Sequence, residues 1–221
     1  MSVGPSLPAI GTNASALSSA GPANPRKRNV YLAGYEVFFE LEEVTRVAAE
    51  KKAICAASGL VGLFPGNLKL REEDCSSDAA RAKAIYLLDV GLMENCGSIL
   101  ANLTPFRGVS ADAGTCWELG HFVGQGKLAV AYTNDSRSYE ERFFALFGTE
   151  APASGATGAS RVARDGAGCL VDMQTRSDNC MLTEGAHMVV AEDVFSSDAA
   201  MLQDLRTFEK AVAVLKRALD A

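Results

Sequence analysis

The chain has 221 residues, enough for one domain with a good core, and its 48% hydrophobic and 22% charged content is that of an ordinary globule. A net charge of -6 gives no electrostatic reason to bind nucleic acid or an anionic membrane, and no apolar run nears the ~20 residues of a membrane span. Six cysteines show no C-x-x-C pair and no metal-ligand spacing with the two histidines, so reduced thiols, no metal site and a cytoplasmic setting are expected.

Residues 1–28 are rich in Ser, Ala, Gly and Pro and end in Arg26-Lys-Arg28, without the continuous apolar core of a secretory signal. They are expected to form a disordered tail ahead of a single domain, 29–221. Asn29-Val-Tyr-Leu-Ala33 reads as a first strand, and Gly34-Tyr-Glu-Val-Phe38 leads from it into a helix. That helix carries Val44, Val47, Ala48, Ile54 and Cys55 at helical spacing and stops at Gly59. Leu60-Val-Gly-Leu-Phe64 is a second strand, and Ser76-Ser77-Asp78 caps and charges a second helix. Its buried face is expected to hold Ala84, Ile85, Leu88 and Leu92. Asp89 falls on that same side, where an acid is costly unless paired or functional.

Ser98-Ile-Leu-Ala-Asn-Leu103 is a third strand, followed by Asp112-Ala-Gly-Thr-Cys-Trp-Glu118 and a short helix over 115–123. Gly114 suits a tight turn and Thr115 can cap free N–H groups. Asp112 and Glu118 then sit at the carboxyl edge of a strand, where open α/β sheets bind ligands. Gly126 to Tyr132 is a fourth strand, 139–147 a short surface helix, 148–168 a flexible Gly/Ala/Ser-rich loop, and His187-Met-Val-Val190 a fifth strand. A C-terminal helix starts at Ser197-Asp198 with Leu202, Leu205, Phe208, Val212, Leu215 and Leu219 on one face. Strands alternating with helices imply an α/β fold with a parallel sheet and right-handed crossovers.

Tyr31-Leu-Ala-Gly34, Thr104-Pro-Phe-Arg-Gly108, Asp112, Gly114-Thr-Cys-Trp-Glu-Leu-Gly120 and Asn179-Cys-Met181 together resemble the nucleoside 2-deoxyribosyltransferase family, in order and spacing. The resemblance implies a flavodoxin-like, three-layer sheet of five strands in the order 2-1-3-4-5. It implies Glu118 as nucleophile, Asp112 as the acid at the leaving base, Asp89 as its assistant and Tyr31 orienting the nucleophile. It also implies substrate contacts from Gly34, Phe38, Arg107, Gly108, Asn179 and Met181. No cofactor is implied. The expected partners are a 2′-deoxynucleoside, a free nucleobase and further copies of the chain, with Asn179 reaching a neighbouring subunit's site. Two departures stand out: the loop reads Gly34-Tyr35-Glu36 where many relatives have Gly-Pro, and the C-terminus Leu219-Asp-Ala221 offers no clear sugar contact.

Glycosidic cleavage passes through an oxocarbenium-like state, so a carboxylate near C1′ and an acid near the base are the required chemistry. The same fold also serves 2′-deoxynucleoside 5′-monophosphate N-hydrolases, which carry Ser in place of Asn179. Asn179 favours the free nucleoside, while Ser177 keeps that alternative open. The Pro-Gly-Gly element of phosphoribohydrolases is missing. A non-catalytic nucleoside sensor would have no need of Asp89, Asp112 and Glu118 together.

Overall fold

A computed structural model describes residues 25–67, 70–148, 162–192 and 198–221. The expected tail lies outside them up to residue 24, and Pro25–Arg28 forms a single 3-10 turn. Five parallel strands follow: β1 (Asn29–Ala33), β2 (Val61–Leu63), β3 (Ser98–Asn102), β4 (Leu128–Thr133) and β5 (His187–Val190). Their order is β2-β1-β3-β4-β5, the flavodoxin-like arrangement. Tyr31 lies beside Leu63 on one side and Ile99 on the other.

Parity along β1 decides what each face can do, because successive strand residues point to opposite faces. Val30 and Leu32 join the core under α1 (Leu41–Ala57) and α7 (Arg206–Asp220), with Val44, Ala48, Phe208 and Leu215. Tyr31 and Ala33 join the opposite core, under α2 (Asp78–Glu94) and α3 (Ala113–Gly124), with Met93, Leu119 and Phe122. A third, small core of Phe143, Ala163 and Val171 sits by α4 (Tyr139–Phe147).

Three local expectations change. First, α2 buries only Met93 fully, and Ile85 is 43% exposed, since the helix frames a cleft rather than lying flat on the sheet. Second, α4 is less superficial than its composition suggested, for Glu140, Arg142 and Phe143 are buried. The Arg142 guanidinium donates to the carbonyls of Val109, Arg137 and Ser177, which makes its burial affordable. Third, the C-terminal helix is split into α6 (Asp198–Gln203) and α7. Asn134 Nδ2 takes the carbonyls of Met201 and Asp204 at 2.7 and 2.9 Å, and Asp204 Oδ1 caps Arg206 N at 2.9 Å. Of the expected flexible loop, 149–161 lies outside the described residues. Arg164 and Leu170 form an isolated antiparallel bridge.

Candidate active site

At the carboxyl edge of β1 and β3 a cavity of about 530 Å³ opens between the β1–α1 loop, the β2–α2 connection and helices α2 and α3. Asp89, Asp112 and Glu118 all line it, with Gly34, Phe38 and Gly114. An adjoining opening of about 300 Å³, bounded by Tyr86, Val90 and Trp117, reaches Asp89, Gly114 and Glu118 from the other side. Five of the expected positions thus converge from the β1–α1 loop, α2 and α3. Tyr31 joins them from beneath: fully buried, it donates its hydroxyl to Glu118 Oε1 at 2.5 Å.

Asp112 is the N-cap of α3, accepting from Thr115 N at 3.0 Å and Thr115 Oγ1 at 3.3 Å. Both bonds fall on Oδ2, so one residue starts the helix and keeps its other oxygen for the cavity. Thr115 is capped rather than capping. Gly114 does not occupy the left-handed region anticipated for it. Its value is space, since a Cβ there would sit 3.0 Å from Asp112 Oδ2 and intrude on the cavity wall. Gly34 is extended, and a side chain at that position would collide with Glu36 Oε2.

Desolvation raises the Glu118 carboxyl to about 7, with the Asp89 and Asp112 charges adding to it and the Tyr31 hydrogen bond opposing it. Burial alone lifts Asp89 to about 6. Burial, and then the Glu118 charge, push the Tyr31 phenol far up, so it remains a donor at any working pH. Acids that titrate near neutrality in one cavity share protons, as acid–base work requires. Cys116, raised to about 11 mainly by burial, is not a ready nucleophile. All six cysteines are free thiols, and His121 stacks on Trp117 at 5.2 Å outside the main cavity lining.

Four expected positions lie elsewhere in the chain. Arg107 and Gly108 border a separate cleft of about 630 Å³ whose one acid among the described residues, Asp135, is paired with Arg137. Arg107 has a φ of 57° and lays its guanidinium on the Phe38 and Phe106 rings at 4.9 and 4.7 Å, so it touches the cavity only through Phe38. Asn179 caps the short helix α5 (Cys180–Thr183), accepting from Met181 N at 3.0 Å, and Met181 is 80% exposed. Neither residue lines the cavity.

Sequence reading missed Val37, Pro65, Gly66, Leu70 and Arg81 in the walls. It also missed a buried ion pair behind Gly34, where Lys51 Nζ meets Glu36 Oε1 and Asn102 Nδ2 adds a bond of 2.8 Å. Lys51 occupies the α1 core stripe between Val47 and Cys55, and a lysine on such a stripe signals a buried partner.

A family model for nucleoside 2-deoxyribosyltransferase matches residues 30–181. The chain belongs to that family. A 2-desoxiribosyltransferase from Leishmania mexicana, 22% identical, overlays with a TM-score of 0.52 across 84% of this chain and 97% of that one, and so shares the fold. An uncharacterized protein of Schizosaccharomyces pombe is 35% identical over 114 residues, which are 51% of this chain and 53% of that protein. The chain therefore spans about half the length of this relative. Within the family frame, the matched segment holds Tyr31, Asp89, Asp112 and Glu118 and runs through Met181.

Proposed function

We propose that the protein exchanges the base of a 2′-deoxynucleoside through a deoxyribosyl ester on Glu118. The observation that carries this reading is one half-buried carboxylate, held by the Tyr31 hydroxyl and facing the same cavity as two further acids. Glu118 Oε2 attacks C1′ and the C1′–N bond breaks, its electron pair passing to the base. Asp112, assisted by Asp89, gives that base a proton. A second base then attacks C1′, returns its proton to the acid pair and frees Glu118, with net retention. A family fold that matches across the whole cavity supports the same chemistry.

Asn179 and Met181 support a shared site. They sit on an exposed turn outside their own chain's cavity, while Tyr86 and Trp117 present an exposed apolar pair beside Glu118. On this reading a second copy brings Asn179 to the sugar 5′-hydroxyl, and a closed two-fold contact is the simplest form.

Incubating deoxyinosine or thymidine with adenine should yield deoxyadenosine on chromatography. Release of free base from a 2′-deoxynucleoside 5′-monophosphate, with no exchanged nucleoside, would instead establish the N-hydrolase. For the shared site, inactive Glu118→Ala and Asn179→Ala chains are mixed under subunit exchange. Activity near half of wild type per mixed dimer is expected, and none despite proven mixed dimers removes the shared-site model.

A further inference from the structure

One cation, Arg81, stands in the lining of the cavity apart from its acids. Arg81 lies in the first turn of α2, one turn after Asp78, and lines the same cavity as the three acids. Its backbone N–H donates to Ser77 O at 2.9 Å, but its guanidinium makes no hydrogen bond or ion pair among the described residues, not even with Asp78. Of the acids just upstream, Glu73 and Asp74 are already held by Arg71. A cation in a helix's first turn meets the positive end of the helix dipole, an unfavourable place without a partner. Its only distinctive surrounding is the cavity.

The position fixes what Arg81 could meet. Helices that cross between parallel strands run against them, so the first turn of α2 lies toward the cavity mouth and Asp89 deeper. Eight residues, about 12 Å of helix, separate the two. With C1′ held at Glu118, the base must extend toward that mouth. The walls there are Val37, Phe38, Pro65, Leu70, Ile85 and Leu88, apolar surfaces suited to the faces of a flat ring. Arg81 then faces the ring's far edge. A guanidinium only donates, so it selects an edge that offers oxygen or nitrogen acceptors and disfavours an amino group.

A phosphate is the weaker occupant. Among the described lining residues there is no second cation, the one hydroxyl, Thr115, already donates to Asp112, and the cavity carries three carboxyl groups. A neutral carbonyl edge fits this balance better than a dianion. It also suits the reaction: when the C1′–N bond breaks, the electron pair left on an oxo base delocalises onto its carbonyl oxygen, where a guanidinium opposes the developing charge.

We propose that Arg81 is a specificity-determining residue that donates to the carbonyl edge of the base, so the site favours oxo bases such as hypoxanthine over adenine. This rests on the base-exchange reading, and the test separates the two. In wild type, Arg81→Met and Arg81→Lys, kcat/KM is measured for deoxyinosine, thymidine and deoxyadenosine as donors. The deoxyinosine-to-deoxyadenosine ratio should fall at least ~10-fold in Arg81→Met and by less in Arg81→Lys, with unchanged thermal unfolding. A parallel fall for thymidine would extend the contact to pyrimidine carbonyls, and its absence would confine it to purines. Calorimetric binding of free hypoxanthine and adenine reads the same preference with no turnover, so it stands even if transfer itself is disproved. An equal effect on every donor overturns the proposal. So does a hypoxanthine-to-adenine binding preference that is the same in Arg81→Met as in wild type.

Discussion

Glu36 and Glu118 sit on opposite faces of the sheet beside β1, and both are withdrawn from water, yet they have opposite consequences. Glu36, 2% exposed, is paired with the fully buried Lys51, whose ammonium lies 5.1 Å from the Phe208 ring centre and 5.6 Å from that of Tyr132. Among the described residues Glu118 has no ion-pair partner; the Tyr31 hydroxyl donates to it and two acids neighbour it. Burial with a counter-ion produces a fixed structural joint, here tying the β1 loop to α1 and, through Asn102, to β3. Burial without one produces a carboxyl that titrates near neutrality and can act as base, acid or nucleophile. The first arrangement also serves the second, since Glu36 packs under Gly34 at the cavity wall.

The sharpest way to break the comparison is to delete each acid's function in turn. Glu118→Ala should lower base exchange by at least ~10³-fold, about 4 kcal/mol of barrier, with the fold intact. Steady-state kinetics check this, and more than a tenth of wild-type activity would take the nucleophile role from Glu118. Lys51→Met should act on stability instead. It strands the Glu36 carboxylate, a change that costs about 3–5 kcal/mol in buried pairs, against a total stability of about 5–15 kcal/mol. Urea denaturation should show the loss, and Lys51→Met with Glu36→Gln should recover part of it. If the double variant is no more stable than Lys51→Met, the pair is not what holds this corner.

The contrast also explains what could be read from sequence. The parallel α/β alternation and the place of Asp112 and Glu118 at a strand's carboxyl edge follow from local pattern plus the handedness of parallel crossovers, whereas the strand order and the joining of Asp89 and Tyr31 to them were implied by the family resemblance. Arg107 and Gly108, expected as substrate contacts, border a separate cleft, because motif adjacency does not specify which side of a loop faces the cavity of the acids. The backbone at Arg107, with φ of 57°, turns that side chain onto Phe38 and Phe106. The Glu36–Lys51 pair spans a loop and three helical turns, so only the odd lysine on an apolar stripe announced it. Arg81 carried an equally small sign, a cation at the wrong end of its helix.

A smaller effect separates the two glutamates by pH. Glu118 is raised from 4.5 to about 7, so the folded state holds its proton where the unfolded chain has lost it. Below pH ~4.5 the group is protonated in both states and carries no charge penalty. As pH rises from about 4.5 to about 7 the unfolded chain gives up a proton that the folded carboxyl keeps, so stability falls by up to about 3 kcal/mol and levels off once both are ionised. Glu118→Gln removes that penalty while keeping an acceptor for Tyr31. It should therefore stabilise the protein by an amount of that order at pH 8 and leave it nearly unchanged at pH 4.5, in paired urea titrations. Equal effects at both pH values would mean that Glu118 is better solvated than its burial indicates.

The smallest effect tests the one bond that distinguishes Glu118 from an ordinary buried acid. The Tyr31 hydroxyl opposes desolvation, favouring the ionised carboxylate that must attack C1′. In wild type, kcat/KM should rise with pH along a limb centred near 7, as Glu118 loses its proton. Tyr31→Phe removes the donor but keeps the ring that packs against Phe122 at 5.9 Å, so the core should survive. A hydrogen bond to a charged group contributes about 1.5 kcal/mol at the low end of its range, which predicts ~10-fold slower exchange near neutrality. The direction of the limb matters more than the rate. Losing a bond that favours the charged form must move the limb upward, so the deficit shrinks as pH climbs past 8. A uniform loss at every pH would place Tyr31 in sugar positioning instead. A limb that moved downward would mean that the hydroxyl hydrogen-bonds the protonated acid, and that the poise of Glu118 has another source.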